Sequence, residues 1–191
     1  MNMKQLVKET RTYRSFNEDR VITKEELLVL IDLARLTASG RNAQVLRFMP
    51  LYTEEDLNKM MPLTAWAAAL KDRVFPPEGH YPRAFILICH DRRRGEAAPM
   101  MLGMDTGIAA QTMMLGARNM GLGGCMIANL KKEAIKEAFN LGEGVEPILA
   151  LGLGEPDEII NIVDLEEDIN YYRDGEDVHC VPKRSLDDLL L

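Results

Sequence analysis

The stretch from Asp105 to Leu130, DTGIAAQTMMLGARNMGLGGCMIANL, constrains this chain more than any other. Asp105 to Met120 contains no proline, and Ile108, Ala109, Thr112, Leu115, Gly116 and Asn119 fall at helical spacing. Ile108, Ala110, Met113, Met114, Leu115 and Ala117 surround the axis instead of keeping to one side. A helix apolar nearly all round is expected to be buried on most sides. Gly107, Ala109, Ala110, Gly116 and Ala117 are small, although glycine inside a helix costs roughly 1 kcal/mol relative to alanine. Something must pack closely against them. Gly121 is the expected C-terminal cap. The glycines at 121, 123 and 124 then lead into a short strand-like run, Cys125 to Ala128, at a turn that a flat ligand or a partner backbone can approach.

With 191 residues the chain is expected to form one domain, residues 1–191, able to bury about 70% of its unfolded surface. The net charge of −7 argues against a nucleic-acid surface, which needs a clustered basic face. Positive charge is nevertheless concentrated near the ends, in Arg11, Arg14 and Arg20 and again in Lys183 and Arg184, as in a divided anion site. No window approaches 18 uninterrupted apolar residues, and MNMKQLVKET lacks the apolar core of a signal peptide. The expectation is therefore a cytoplasmic protein with no membrane partner. Cys89, Cys125 and Cys180 are odd in number and show no CxxC spacing, so they are read as reduced thiols.

In chain order, Leu6 to Glu9 ends a first helix, and RTYRSFNEDR follows as an arginine-rich loop. Thr23 and Glu26 form a capping box for a helix running to about Ala38. Ser39 to Gln44 breaks it. Val45 to Tyr52 reads as a strand confined to an edge by Pro50. Helices are expected at Glu54 to Met61, Ala65 to Asp72 and Lys131 to Asn140. Ala84 to Cys89 has no polar alternation and should be a central strand covered on both faces, with Pro147 to Leu153 a second buried one. Val178 to Leu186 is expected to be an extended segment pairing with a sheet edge.

The three histidines do not stand at i, i+4, and the glycine clusters fail the dinucleotide fingerprint spacing. Cys125 is better read as a small apolar strand residue than as a nucleophile, since no histidine lies nearby in sequence. Arginine forks suit phosphate, because two donors can meet two oxygens. Taken alone, Arg11 and Arg14 could equally be solvated loop charges. Asn42 and Gln44 could simply satisfy a turn.

The order of these pieces resembles the nitroreductase-like flavoproteins. Arg11-Thr12-Tyr13-Arg14-Ser15-Phe16 is similar to their Arg-Ser-x-Arg-x-Phe opening, with Thr12 for serine. Leu33 to Gln44 is similar to their Ala-Pro-Ser-x-x-Asn-x-Gln segment, Asp105 to Gly124 to their Asp-x-Gly-x-Ala-x-Gln helix, and Leu151 to Pro156 to their late strand and turn. The resemblance implies an α+β fold, a mixed, mainly antiparallel sheet wrapped by helices, in an intertwined homodimer. It implies FMN at the dimer interface and NADH or NADPH as reductant, with a small-molecule electron acceptor such as a nitroaromatic or quinone, in a ping-pong cycle that needs no catalytic side chain. Carried over by position, Arg11, Thr12, Tyr13 and Arg14 hold the flavin phosphate and pyrimidine edge. Ser39, Gly40 and Asn42 come from the second subunit, Met126, Ile127 and Ala128 lie against the ring, and Lys183 and Arg184 return to the phosphate. The Trp66 to Lys71 region is where the resemblance puts a residue for the ring edge. Two other readings stay open: an FMN-binding or storage protein without efficient turnover, and a helical interaction protein whose methionines are only core.

Overall fold

A computed structural model describes residues 2–67 and 73–191, which form two compact units, Met1–Pro156 and Asp157–Leu191. The first contains α1 (Met3–Glu9), β1 (Phe16–Asn17), α2 (Lys24–Arg35), β2 (Leu46–Leu51), α3 (Glu54–Met60), β3 (Ala84–Asp91), α4 (Pro99–Asn119), β4 (Gly123–Ile127), α5 (Lys132–Ala138) and β5 (Val145–Pro156). Its five-stranded sheet runs β1-β5-β3-β2, and β4 also pairs with β5. All of these pairings are antiparallel. The second unit holds β6 (Ile160–Asp164), β7 (Tyr172–Arg173) and β8 (His179–Lys183), with β8 parallel to β6 and antiparallel to β7. The C-terminal extended segment thus pairs within its own unit's sheet.

β3 is buried along its whole length, and the alternation of its side chains explains why no polar residue interrupts it. Ala84, Ile86 and Ile88 pack with α2 and α4 through Leu27, Leu30, Ala110 and Met113. Phe85, Leu87 and Cys89 face the other way, onto Met60 of α3 and Ile135 of α5. The sheet is therefore an antiparallel one covered on both faces. Each fully buried Ile, Leu or Phe stabilises the fold by roughly 1.5–3 kcal/mol. Burial also pushes the Cys89 thiol up to about 12, so it stays protonated. β2 is the edge strand that Pro50 requires.

The Thr23–Glu26 capping box opens α2 as expected, but the helix ends at Arg35, short of Ala38. α4 begins at Pro99, six residues before the apolar periodicity suggests, because proline at the first turn gives up an N–H that has no helical partner anyway. It ends in a Schellman motif, with Leu122 N–H donating to Ala117 O and Gly121 N–H to Arg118 O at φ +80°. Its burial is less complete than its composition suggests. Met100, Met104 and Ile108 are exposed, and a Cβ at Gly103 or Gly107 would meet nothing within 4 Å. Gly116, by contrast, lies under Leu30 and Leu33 of α2. Ala65–Ala67 are not helical, and Ala67 has φ +47°. The rest of that expected helix, including Lys71, lies outside the described residues. No described helix is long and apolar enough to cross a membrane.

Candidate functional site

The arginine-rich loop leaves α1 at Thr10, whose hydroxyl and N–H both donate to Leu6 O. It then runs beside β4: Thr12 forms a parallel bridge with Gly124, and Tyr13 N–H donates to Gly124 O at 2.9 Å. The glycines make this approach possible, since a Cβ at Gly123 would stand 2.5 Å from Tyr13 Cδ2. Tyr13 is therefore a buried packing residue, and its hydroxyl donates to Glu9 O at 3.0 Å. Thr12 is exposed, and Arg11 and Arg14 are half-buried. Arg11 Nη2 donates to Val7 O at 2.7 Å, while its Nε is buried and donates to no described residue. Burial holds the Arg11 pKa below the usual guanidinium value, yet arginine stays charged at any ordinary pH. Glu9 fixes this end of the chain to α4, its Oε2 accepting from Arg118 Nε at 3.1 Å and Nη2 at 2.9 Å.

Gly124 turns its carbonyl away from β5 to meet Tyr13. Backbone groups alternate sides along a strand, so Met126 turns its N–H and C=O toward the same outer edge, with Ala128 two residues further on. Met126 is 37% exposed and Ala128 is exposed, whereas Ile127 is 3% exposed and points into the core. By the same alternation the Ile127 N–H and C=O face β5, so Ile127 turns neither its side chain nor its backbone polar groups to this edge.

Ser39, Gly40 and Asn42 form a second cluster. Gly40–Asn42 is a 3-10 turn in which Arg41 and Asn42 have φ of +53° and +54°, followed by Gln44 at +50°. Such left-handed residues cost energy, and they cluster where surrounding contacts impose them. Here Gly40 N–H donates to the buried Asp105 Oδ1 at 2.9 Å, and the backbone passes so close to Met101 that a Cβ at Gly40 would strike its methyl. A cavity of about 260 Å3 opens beside the turn, lined by Ser39, Gln44, Phe48, Asp105 and Ala109 among others.

Asp105 and Arg118 mark where the two clusters meet α4, about 20 Å apart at about 1.5 Å of rise per residue. Within one chain, then, the fold sets the Arg11–Arg14 loop against β4 at Gly124, two residues before Met126, and among the described residues no hydrogen bond joins Ser39, Gly40 or Asn42 to it. Lys183 ends β8, opposite Asp164, and both Lys183 and Arg184 are exposed in the second unit. Trp66 is occupied by packing: its Nε1 donates to Thr64 Oγ1 at 2.8 Å and its ring sits edge-on to Phe16 and Phe85 above Gly152. Among the described residues no group of three His, Cys, Asp or Glu side chains could hold a metal ion.

Asp105 is the residue that sequence reasoning did not assign to the site. Its signal is a carboxylate on a mainly apolar helix, which is buried only where a donor meets it.

The nitroreductase family model matches residues 7–155. The oxygen-insensitive NADPH nitroreductase of Salmonella typhimurium is 28% identical over 153 residues, covering 76% of this chain; the chain spans only 62% of that enzyme's length. Among solved structures, a nitroreductase family protein from Clostridium difficile 630 superposes with a TM-score of 0.67 at 28% identity, covering 83% of this chain and 87% of its own. An FMN-dependent nitroreductase from Clostridium difficile R20291 shares the fold, with a TM-score of 0.66 at 21% identity, covering 82% and 88%. With the family model spanning both clusters and the α4–β4 hairpin that separates them, the chain belongs to the nitroreductase family.

Proposed function

We propose that this protein is an FMN-dependent oxidoreductase that works as a homodimer. The observation that carries the reading is the pairing of the Arg11–Arg14 loop with β4 at Gly124, through Thr12 and the Tyr13 N–H. The loop carries Arg11, whose buried Nε donates to no described residue, and β4 turns its backbone groups outward at Met126, two residues after the bridge, a set that fits a phosphorylated, planar, hydrogen-bonding cofactor. Arg11, Thr12 and Arg14 would hold the phosphate and pyrimidine edge, and Met126 and the Ala128 backbone would line the ring. Bound FMN would supply transfer of hydride from NADH or NADPH to an electron-poor acceptor such as a nitroaromatic or quinone, in a ping-pong cycle. No side chain of the chain is needed as acid or base.

Two features support a two-chain site. The exposed face of α4, with Met100, Met104, Ile108 and two uncrowded glycines, lets a second backbone approach closely. In a twofold dimer this patch would meet its own copy, one α4 packed against the other. Ser39, Gly40 and Asn42 would then complete the partner's site.

The test is an absorption spectrum of the purified protein, recorded without oxygen before and after NADH or NADPH. Flavin bands that bleach on adding reductant are expected. Bands that persist would leave a flavin-binding protein without this turnover, and absence of flavin after incubation with FMN would overturn the assignment.

A further inference from the structure

The charge of this acidic chain is inverted at the end of β3, where two of the arginines, Arg47 and Arg94, also line the cavity beside the Ser39–Gln44 turn. Asp91, at the end of β3, is buried, and its carboxylate accepts from Arg93 Nε at 2.8 Å, Arg93 Nη2 at 2.9 Å and Arg47 Nη1 at 3.4 Å. Arg94 Nε stands 3.8 Å from the same group. Three guanidinia therefore share one carboxylate, leaving an excess of two positive charges in a protein whose net charge is −7. Glu146, opposite His90 on the neighbouring strand, is already engaged by Lys136 at 3.0 Å. Arg93 is held rigidly by its two-pronged grip on Asp91, yet its Nη1 donates to no described residue, and neither do Nε and Nη2 of Arg47. A cavity of about 250 Å3 lies against these donors, walled by Arg47, Arg93, Asn140 and Gly142 over an apolar floor of Met49 and Val145.

We propose that Arg47 and Arg93, with the added charge of Arg94, form a binding site for a phosphate-type oxyanion, either free phosphate or the phosphoryl group of a nucleotide. The buried Asp91 carboxylate holds the Arg93 guanidinium in place before the ligand arrives, so little of that side chain's freedom is lost on binding. Planar forks match two oxygens at a time, which a lysine cannot do.

Titration calorimetry with inorganic phosphate, at an ionic strength held constant by sodium chloride, tests this on the full-length protein. Saturable binding is expected, weakened tenfold or more in Arg47→Gln and less in Arg47→Lys. Arg47 is half-exposed and makes one long hydrogen bond, so these variants keep the fold, checked by an unchanged melting curve. Arg35→Gln, a half-exposed arginine paired with Asp32 and not lining this cavity, should bind as the wild type does. Adenosine monophosphate binding more tightly than phosphate assigns the nucleotide source, and phosphate alone binding assigns the free ion. No saturable phosphate binding, equal binding of unphosphorylated adenosine, or full binding by Arg47→Gln would overturn the site.

Discussion

The two loops at opposite ends of α4 carry comparable polar residues but are held by different forces. Residues 11–14 are pinned through the backbone, in a bridge to β4 that needs glycine at 123 and 124. Residues 39–44 have no strand partner; left-handed turns and one hydrogen bond from Gly40 to Asp105 fix them. The first arrangement is held by the backbone and by short-range contacts such as Arg11 Nη2 to Val7 O, whereas the second spends its local energy on holding an unusual backbone.

Substitutions at the anchors can break this contrast. Gly124→Ala should do the most damage, because the new Cβ collides with the backbone oxygen of Gly152, which cannot rotate away. Overpacking of this kind costs about 1–3 kcal/mol or more, read as a lower melting temperature together with loss of flavin. Asp105→Ala comes next: it strands the Gly40 N–H and should cost about 1–2 kcal/mol, with Asp105→Asn recovering most of the loss in the same calorimetric scan. Gly40→Ala should be milder, under about 1 kcal/mol, since only the mobile end of Met101 must give way. A loss from Gly40→Ala as large as that from Gly124→Ala would erase the distinction between the loops.

Arg11→Gln sharpens the comparison differently. It should leave the melting temperature of the flavin-free protein nearly unchanged and weaken FMN binding about tenfold, the scale of a charged hydrogen bond, measured by fluorescence titration. The smallest effect concerns acid. The hydrogen bonds from Gln5 and then Arg118 hold the Glu9 carboxyl below its ordinary 4.5. A depressed folded-state pKa stabilises above the unfolded value and is lost as pH falls through the folded one. The melting-temperature gap between wild type and Glu9→Gln should thus stay flat above pH 4.5 and close below it. A gap that widened on acidification would contradict the Glu9–Arg118 pairing.

Much of the architecture was legible because it is written in local pattern. Thr23 and Glu26 announce α2, Gly121 ends α4, and the uninterrupted run Ala84 to Cys89 requires cover on both faces. Boundaries were less legible where a neighbour decides them. β5 runs from Val145 to Pro156, beyond the expected Pro147 to Leu153, because β3, β4 and β1 each pair with part of it. Among the site residues, the sequence marked Arg11 and Arg14 by charge and Ser39 to Gln44 by small and amide side chains.

By itself the sequence determined the helices, the central strand, the glycine turn after α4 and the segments that resemble a flavoprotein family, since each depends on neighbours a few residues away. Only the tertiary structure decided that Tyr13 and Ile127 belong to packing, that Asp105 anchors Gly40, that three arginines converge on Asp91, and that the two loops stand about 20 Å apart along one helix. Most of those facts rest on contacts between residues far apart in the chain, Gly40 with Asp105 and Arg47 with Asp91 among them, and no local pattern encodes which distant partner a side chain will meet.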